Sequence, residues 1–215
     1  LRTPNTVAYI SPKFGGGMQF VGAYVLDHEN DSASNLYGGD DSFTDDNNQT
    51  ALSASLTWTS GNWYVGAAYE SHDRITTTAT TTDSESAVRL AASWTPGAWK
   101  LIGFYQTVSA IDGGTDFDVA GLGAAYKMGK NVLKAQYFMR DVDAADADST
   151  LAAVGWDYKF SKRTTAYIAY AVTSNDNNVY ASVNCGGHGE CFASGDGAVD
   201  GTDPSGFSLG MIHNF

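Results

Sequence analysis

The sequence predicts an all-β chain, a transmembrane antiparallel up-and-down β-barrel, and three observations carry that expectation. Apolar and polar residues alternate with a period of two along each segment between turn signals. Short and long connections alternate between those segments without exception. Aromatic residues gather at two levels of the apolar face instead of spreading along it.

The closing stretch 207–215 shows the pattern most plainly. Phe207, Leu209, Met211 and Phe215 are apolar, whereas Ser208, Gly210 and Asn214 are small or polar. Such a strand has two faces in two different surroundings. Ten further strands are expected at about 6–11, 18–26, 51–58, 63–71, 87–94, 99–107, 117–128, 132–140, 151–160 and 164–173. Tight links at 13–17, 59–62, 95–98, 129–131 and 161–163 take turns with longer polar ones at 27–50, 72–86, 108–116, 141–150 and 174–205. Short turns on one rim and long loops on the other are the connectivity of outer-membrane barrels.

Composition agrees. The 215 residues include 24 Gly, 12 Tyr, 10 Phe, 5 Trp and only 4 Pro, a balance that suits strands and turns. No apolar run approaches the ~20 residues of a membrane helix, so this chain crosses a bilayer only as a closed barrel. The mean hydropathy is slightly negative, −0.23, which is compatible with a wet interior because every second strand residue is then polar. With 24 acids against 12 bases, nucleic acid is not expected as a partner. The chain opens on Leu1 with no basic segment and apolar core ahead of it, so a secretory signal is expected to be already removed or to lie outside this sequence.

Parity assigns the side chains. One face carries Leu52, Leu56, Val65, Leu90, Leu101, Leu122, Leu133 and Val154, and no charge is expected on it. At its short-turn end stand Trp58, Trp63, Trp94, Trp99, Tyr126, Tyr158, Phe160 and Phe215, the expected membrane-interface aromatics; Tyr24, Tyr69, Tyr105, Tyr137, Tyr170 and Phe207 stand toward the long loops. From Phe207 to Phe215, eight steps at ~3.3 Å and a tilt near ~40° rise roughly 20 Å, close to the apolar band of such barrels. A soluble β-sandwich is the competing reading, but its core needs bulky side chains where this face is rich in Ala, Gly and Val.

The residues Arg2, Asn5, Val7, Tyr9, Ser11, Pro12 and Phe14, the run Gly155, Tyr158, Phe160, Ser161, Lys162, Arg163 and Thr164, and the terminal Gly210, His213 and Phe215 resemble the general trimeric, sixteen-stranded porins of Gram-negative outer membranes. The likeness runs through the whole chain. It places Arg2 to Phe14 at the sixth strand of that family, so residues 1–215 are expected to be one barrel domain, the C-terminal eleven strands of a longer porin. The family's constriction loop would lie in the missing part.

The resemblance implies a homotrimer in the outer membrane of a Gram-negative bacterium, in contact with lipid and lipopolysaccharide, passing small hydrophilic solutes and ions by passive diffusion. It implies no enzyme activity and no cofactor. Arg2, Arg89, Lys100, Lys134 and Arg140 are expected on the pore wall with Glu70 and Asp157, and Asp118 is counted among the acids that balance them. Arg2 matches the basic constriction side; simple solvation of a wet lumen is the alternative for each base. An adhesive or structural barrel with a blocked lumen is the second functional reading.

Cys185 and Cys191 close a short glycine-rich ring, and in an oxidising compartment they read as a disulfide worth about 2 kcal/mol. A zinc site with His188 and Glu190 is the alternative, although the spacing is not that of a zinc finger. The clusters Asp40, Asp41, Asp45, Asp46 and Asp141, Asp143, Asp146, Asp148 read as solvated loop surface, with Ca²⁺, or lipopolysaccharide phosphate held through divalent ions, as the sharper alternative. The four histidines, His28, His72, His188 and His213, are scattered, so no catalytic triad is expected.

Overall fold

A computed structural model describes residues 6–26, 50–75, 82–109, 115–181 and 200–215. They contain β1 (Thr6–Ile10), β2 (Met18–Val25), β3 (Ala51–Ser60), β4 (Trp63–Ile75), β5 (Thr82–Trp94), β6 (Trp99–Ser109), β7 (Phe117–Met128), β8 (Asn131–Val142), β9 (Ser149–Lys159), β10 (Thr164–Asn175) and β11 (Ser205–His213). The strands neighbour one another in chain order from β1 to β11, the antiparallel up-and-down connectivity. Each strand expected from the sequence is present.

The differences lie at strand ends. β4 runs on to Ile75 and β5 begins at Thr82, several residues beyond the alternating segments. These ends read Ser-His-Asp-Arg-Ile and Thr-Asp-Ser-Glu-Ser. The hydropathy contrast fades there because polar residues fall on successive positions, while the backbone ladder needs no such contrast to continue. At the other rim β11 stops at His213, whose register partner Thr164 is the first residue of β10. The Asn214 N–H then donates to the Arg163 carbonyl at 3.0 Å, and Phe215 projects beyond the ladder, fully exposed.

The chain divides into two compact units, Leu1–Leu90 with Gln106–Asp116, and Ala91–Tyr105 with Phe117–Phe215. In the first, the tight β1–β2 connection is closed by Phe14 and Met18, each donating its N–H to the other's carbonyl at 2.9 and 2.8 Å. Gly17 is required there. It has φ 116°, and a Cβ on it would overlap the Thr59 carbonyl oxygen, which belongs to β3. Pairings Phe20↔Leu56, Tyr24↔Leu52, Ala54↔Tyr69 and Trp58↔Val65 collect apolar side chains on one face. Gln19↔Thr57, Ser53↔Glu70 and Ala51↔His72 collect the opposite face.

In the second unit the apolar face is built from Leu122↔Tyr137, Tyr126↔Leu133, Leu133↔Trp156, Ala135↔Val154, Trp156↔Ile168, Ile168↔Leu209 and Tyr170↔Phe207. These side chains are not covered. Leu122 is 72% exposed, Leu209 74% and Met211 68%. Among the described residues the buried apolar side chains are only Val25, Ala51, Val108, Val142 and Ala147. A sandwich core would need far more, since a packed interior is filled to crystal-like density. The aromatic belt is likewise surface: Trp99 and Tyr126 meet at 4.5 Å between ring centroids, and Tyr158 meets Phe160 edge-on at 4.9 Å.

Two sequence expectations are corrected in this unit. The apolar face is not wholly without charge, and Asp118 is not on the polar face. Asp118 shares its face with Ala120 and Leu122, stands directly opposite Asp141, and accepts a hydrogen bond from the Tyr105 hydroxyl. It sits at the long-loop end of β7, one residue into the strand, where the tyrosine belt keeps a polar edge wet.

Candidate functional site

The face opposite the apolar one carries the side chains with functional chemistry. In the first unit Arg89 of β5 is held from two sides. Its Nε donates to Gln106 Oε1 at 2.7 Å and its Nη1 to Glu70 Oε2 at 2.9 Å. The other carboxylate oxygen of Glu70 lies 2.7 Å from His72 Nε2. The side chains of His72, Glu70 and Arg89 are 30%, 32% and 44% exposed. Such pairs add about 0–1 kcal/mol of stability; what they fix is where the charges stand.

In the second unit Lys134 Nζ reaches Asp157 Oδ2 at 2.6 Å. Lys134 is paired in register with Gly155, two residues before Asp157, so the ion pair is a diagonal contact made possible by the long lysine stem. Arg140 stacks its guanidinium 4.5 Å above the centroid of Phe117. Lys100 is exposed on the same alternation as Ile102 and Phe104. The structure therefore brings Glu70 to Arg89 and Lys134 to Asp157, seats Arg140 on an aromatic ring, and leaves Lys100 accessible. Arg2, Cys185, Cys191, Asp40, Asp41, Asp45 and Asp46 lie outside the described residues.

The polar face also holds large rings. Phe138 is opposite Gly121, and a Cβ on Gly121 would overlap its ring. Phe104 leans to within 6.2 Å of Phe138. Two phenylalanines thus converge above a glycine on the face that carries the ion pairs. The sequence signal for this was Gly121 in the middle of a regular strand, where a close approach is a standard cause.

At the long-loop end of this unit the carboxylates serve the backbone. Asp148 Oδ1 accepts the Val142 N–H at 2.9 Å, the Asp148 N–H donates to Asp176 Oδ2 at 3.1 Å, and Asn177 Nδ2 donates to Asp146 Oδ2 at 2.7 Å. The Asn175 N–H donates to Asp203 Oδ1 at 2.8 Å. The β8–β9 and β10–β11 connections are thereby tied to one another. Asp146, with φ 60°, is the one non-glycine residue with positive φ among those described.

A sheet with exposed apolar side chains on one face and ion-paired ones on the other is the architecture of an outer-membrane channel wall. The family model for Gram-negative porins matches residues 1–178, and the chain belongs to that family. Its structure is similar to that of OmpT, in-vitro folded, an outer-membrane protein of Vibrio cholerae in trimer form, with TM-score 0.60 and 16% identity over 97% of this chain and 64% of that one. It is similar as well to the outer-membrane channel DcaP of Acinetobacter baumannii, with TM-score 0.60 and 16% identity over 80% of this chain and 56% of that one. At that identity the likeness is one of fold, and the chain spans about three fifths of the length of those proteins. No curated protein sequence matches it. The porin family and these folds place the protein in the outer membrane.

Proposed function

We propose that these strands contribute the wall of a water-filled channel through which small hydrophilic solutes and ions diffuse passively, with no cofactor and no chemical step. One observation carries the reading: in the second unit exposed Leu122, Leu209 and Met211 share the apolar face while the Lys134–Asp157 pair stands on the opposite one, and in the first unit Glu70, paired with Arg89, stands on the face opposite exposed Leu56 and Val65. Hydrocarbon tolerates the first surface and water the second. The wall selects by width and by field. Within it the two ion pairs are locally neutral, whereas Lys100 is exposed and available to act on a passing anion.

The trimer form of Vibrio cholerae OmpT supports a homotrimer here. Reconstitution of the purified protein into planar bilayers tests the whole proposal. Stable conductance steps, grouped in threes, are the expected result. Persistent silence of folded, inserted protein would overturn the channel and favour the structural or adhesive barrel, with Phe104 and Phe138 among the side chains that fill its interior.

A further inference from the structure

The apolar face of the second unit is not uniform. Beside the belt it opens into a groove of about 400 Å³, whose walls include Trp156, Tyr158, Phe160, Ala166, Ile168 and Leu209, and whose lining is wholly apolar. Trp156, Tyr158 and Phe160 form one aromatic ladder along β9, with successive ring centroids 6.2 and 4.9 Å apart. The polar edge of Trp156 is anchored, since its Nε1 donates to Asn131 Oδ1 at 3.0 Å. The small Ala166 leaves the space between the ladder and Leu209.

Charge gathers next to the ladder's end. The turn after Phe160 is braced by Ser161 Oγ, which accepts the N–H groups of Arg163 and Thr164 at 3.1 and 3.0 Å. Lys162 and Arg163 are exposed on it. The adjoining β7–β8 turn brings Lys130, whose carbonyl accepts the Lys159 N–H at 2.8 Å. Neither turn, Gly129-Lys130 or Ser161-Lys162-Arg163, contains an acid, in a chain whose acids outnumber its bases 24 to 12. Three bases thus stand on the two turns that adjoin the Tyr158–Phe160 end of the slot, on an otherwise acidic protein.

We propose that this slot is a binding site for an anionic phospholipid of the inner leaflet, one acyl chain lying along the aromatic ladder and the phosphate held by Lys130, Lys162 and Arg163. The short turns of such barrels face the periplasm, so the bases lie at the level of inner-leaflet headgroups. An acyl chain fills an apolar slot with no polar group to satisfy, and bases near a membrane surface select the negative headgroup. The inference rests on the barrel lying in a membrane, but not on its conducting.

Native mass spectrometry of the protein purified from outer membranes, with phosphatidylglycerol or phosphatidylcholine titrated into the detergent, tests it. Retention of phosphatidylglycerol over phosphatidylcholine is expected. Each base near a membrane surface contributes roughly a factor of five, so the triple variant Lys130→Gln, Lys162→Gln, Arg163→Gln should weaken phosphatidylglycerol binding about a hundred-fold and leave phosphatidylcholine unchanged. Ala166→Phe, which fills the slot from a lipid-facing position, should weaken both. Equal retention of the two lipids, or a triple variant that binds as the parent does, overturns the proposal. It is overturned too if Ala166→Phe breaks the oligomer while lipid binding persists, because the slot then receives a second copy of the chain. Conductance of the triple variant is measured separately and bears only on the channel.

Discussion

The Phe138 ring covers Gly121 on the neighbouring strand so closely that no side chain fits beneath it. Phe104 packs against the same ring from β6. Gly121→Ala must therefore push Phe138 aside and unseat Phe104 with it. Overpacking of this kind costs about 1–3 kcal/mol, which should lower the temperature at which the folded form converts to the unfolded one on semi-native gels. Phe138→Ala removes the obstacle, so adding Gly121→Ala to it should cost almost nothing further, a coupling that a double-mutant cycle reads directly. Additive losses in the cycle would mean that the ring does not rest on the glycine.

Arg89 has two acceptors and Glu70 has two neighbours, so removing the arginine leaves a carboxylate on the wet face with His72 beside it. Stability should hardly move, because exposed pairs are worth about 0–1 kcal/mol. Permeation should move. Arg89→Gln is expected to shift the reversal potential in a salt gradient toward cation preference, and Glu70→Gln to shift it the opposite way. The two variants giving the same sign would show that neither charge lies along the ion path.

Asp148 links three elements by itself, capping the Val142 N–H at the end of β8 and donating its own N–H to Asp176. In Asp148→Ala the carboxylate goes and the Val142 N–H must turn to water, at about 1 kcal/mol. The expected consequence is local: added protease cuts the β8–β9 connection faster in intact cells while the melting of the barrel is nearly unchanged. An unaltered cleavage rate would mean that the remaining bonds, such as Asn177 to Asp146, suffice to hold the loop.

Much of this was legible in the chain because the period of two reports a strand and its faces together. The run Leu122, Ala124, Tyr126 predicts both β7 and its apolar side, and register then fixes their neighbours Tyr137, Ala135 and Leu133. Where polar residues fall on successive positions, as at the ends of β4 and β5, the same signal is silent, and the strands outrun it. The misplacement of Asp118 has a related cause: near a rim, polarity no longer reports the face, and only counting from Ala120 does. The Phe104–Phe138 contact was hidden for a different reason. It joins residues 34 positions apart through the glycine between their strands, and no local pattern encodes such a meeting. Likewise, the bond from Asn175 to Asp203 spans 28 residues and follows from where the loops arrive.

Leu122 offers the sharpest test of which solvent lies on which side. It sits near the middle of β7, is 72% exposed, and shares its face with Tyr137. On a water-facing sheet Leu122→Arg would be nearly free, since surface substitutions usually change stability by less than about 0.5 kcal/mol. At the bilayer midplane the same arginine costs about 2–4 kcal/mol. Gln136→Arg, on the neighbouring strand and the opposite face, puts the identical charge against water and should be tolerated. Folding into lipid vesicles, followed by the gel shift of the heat-resistant form, distinguishes the two. Leu122→Arg should slow or prevent insertion and Gln136→Arg should not; equal behaviour of the pair would mean that hydrocarbon does not wet the leucine face.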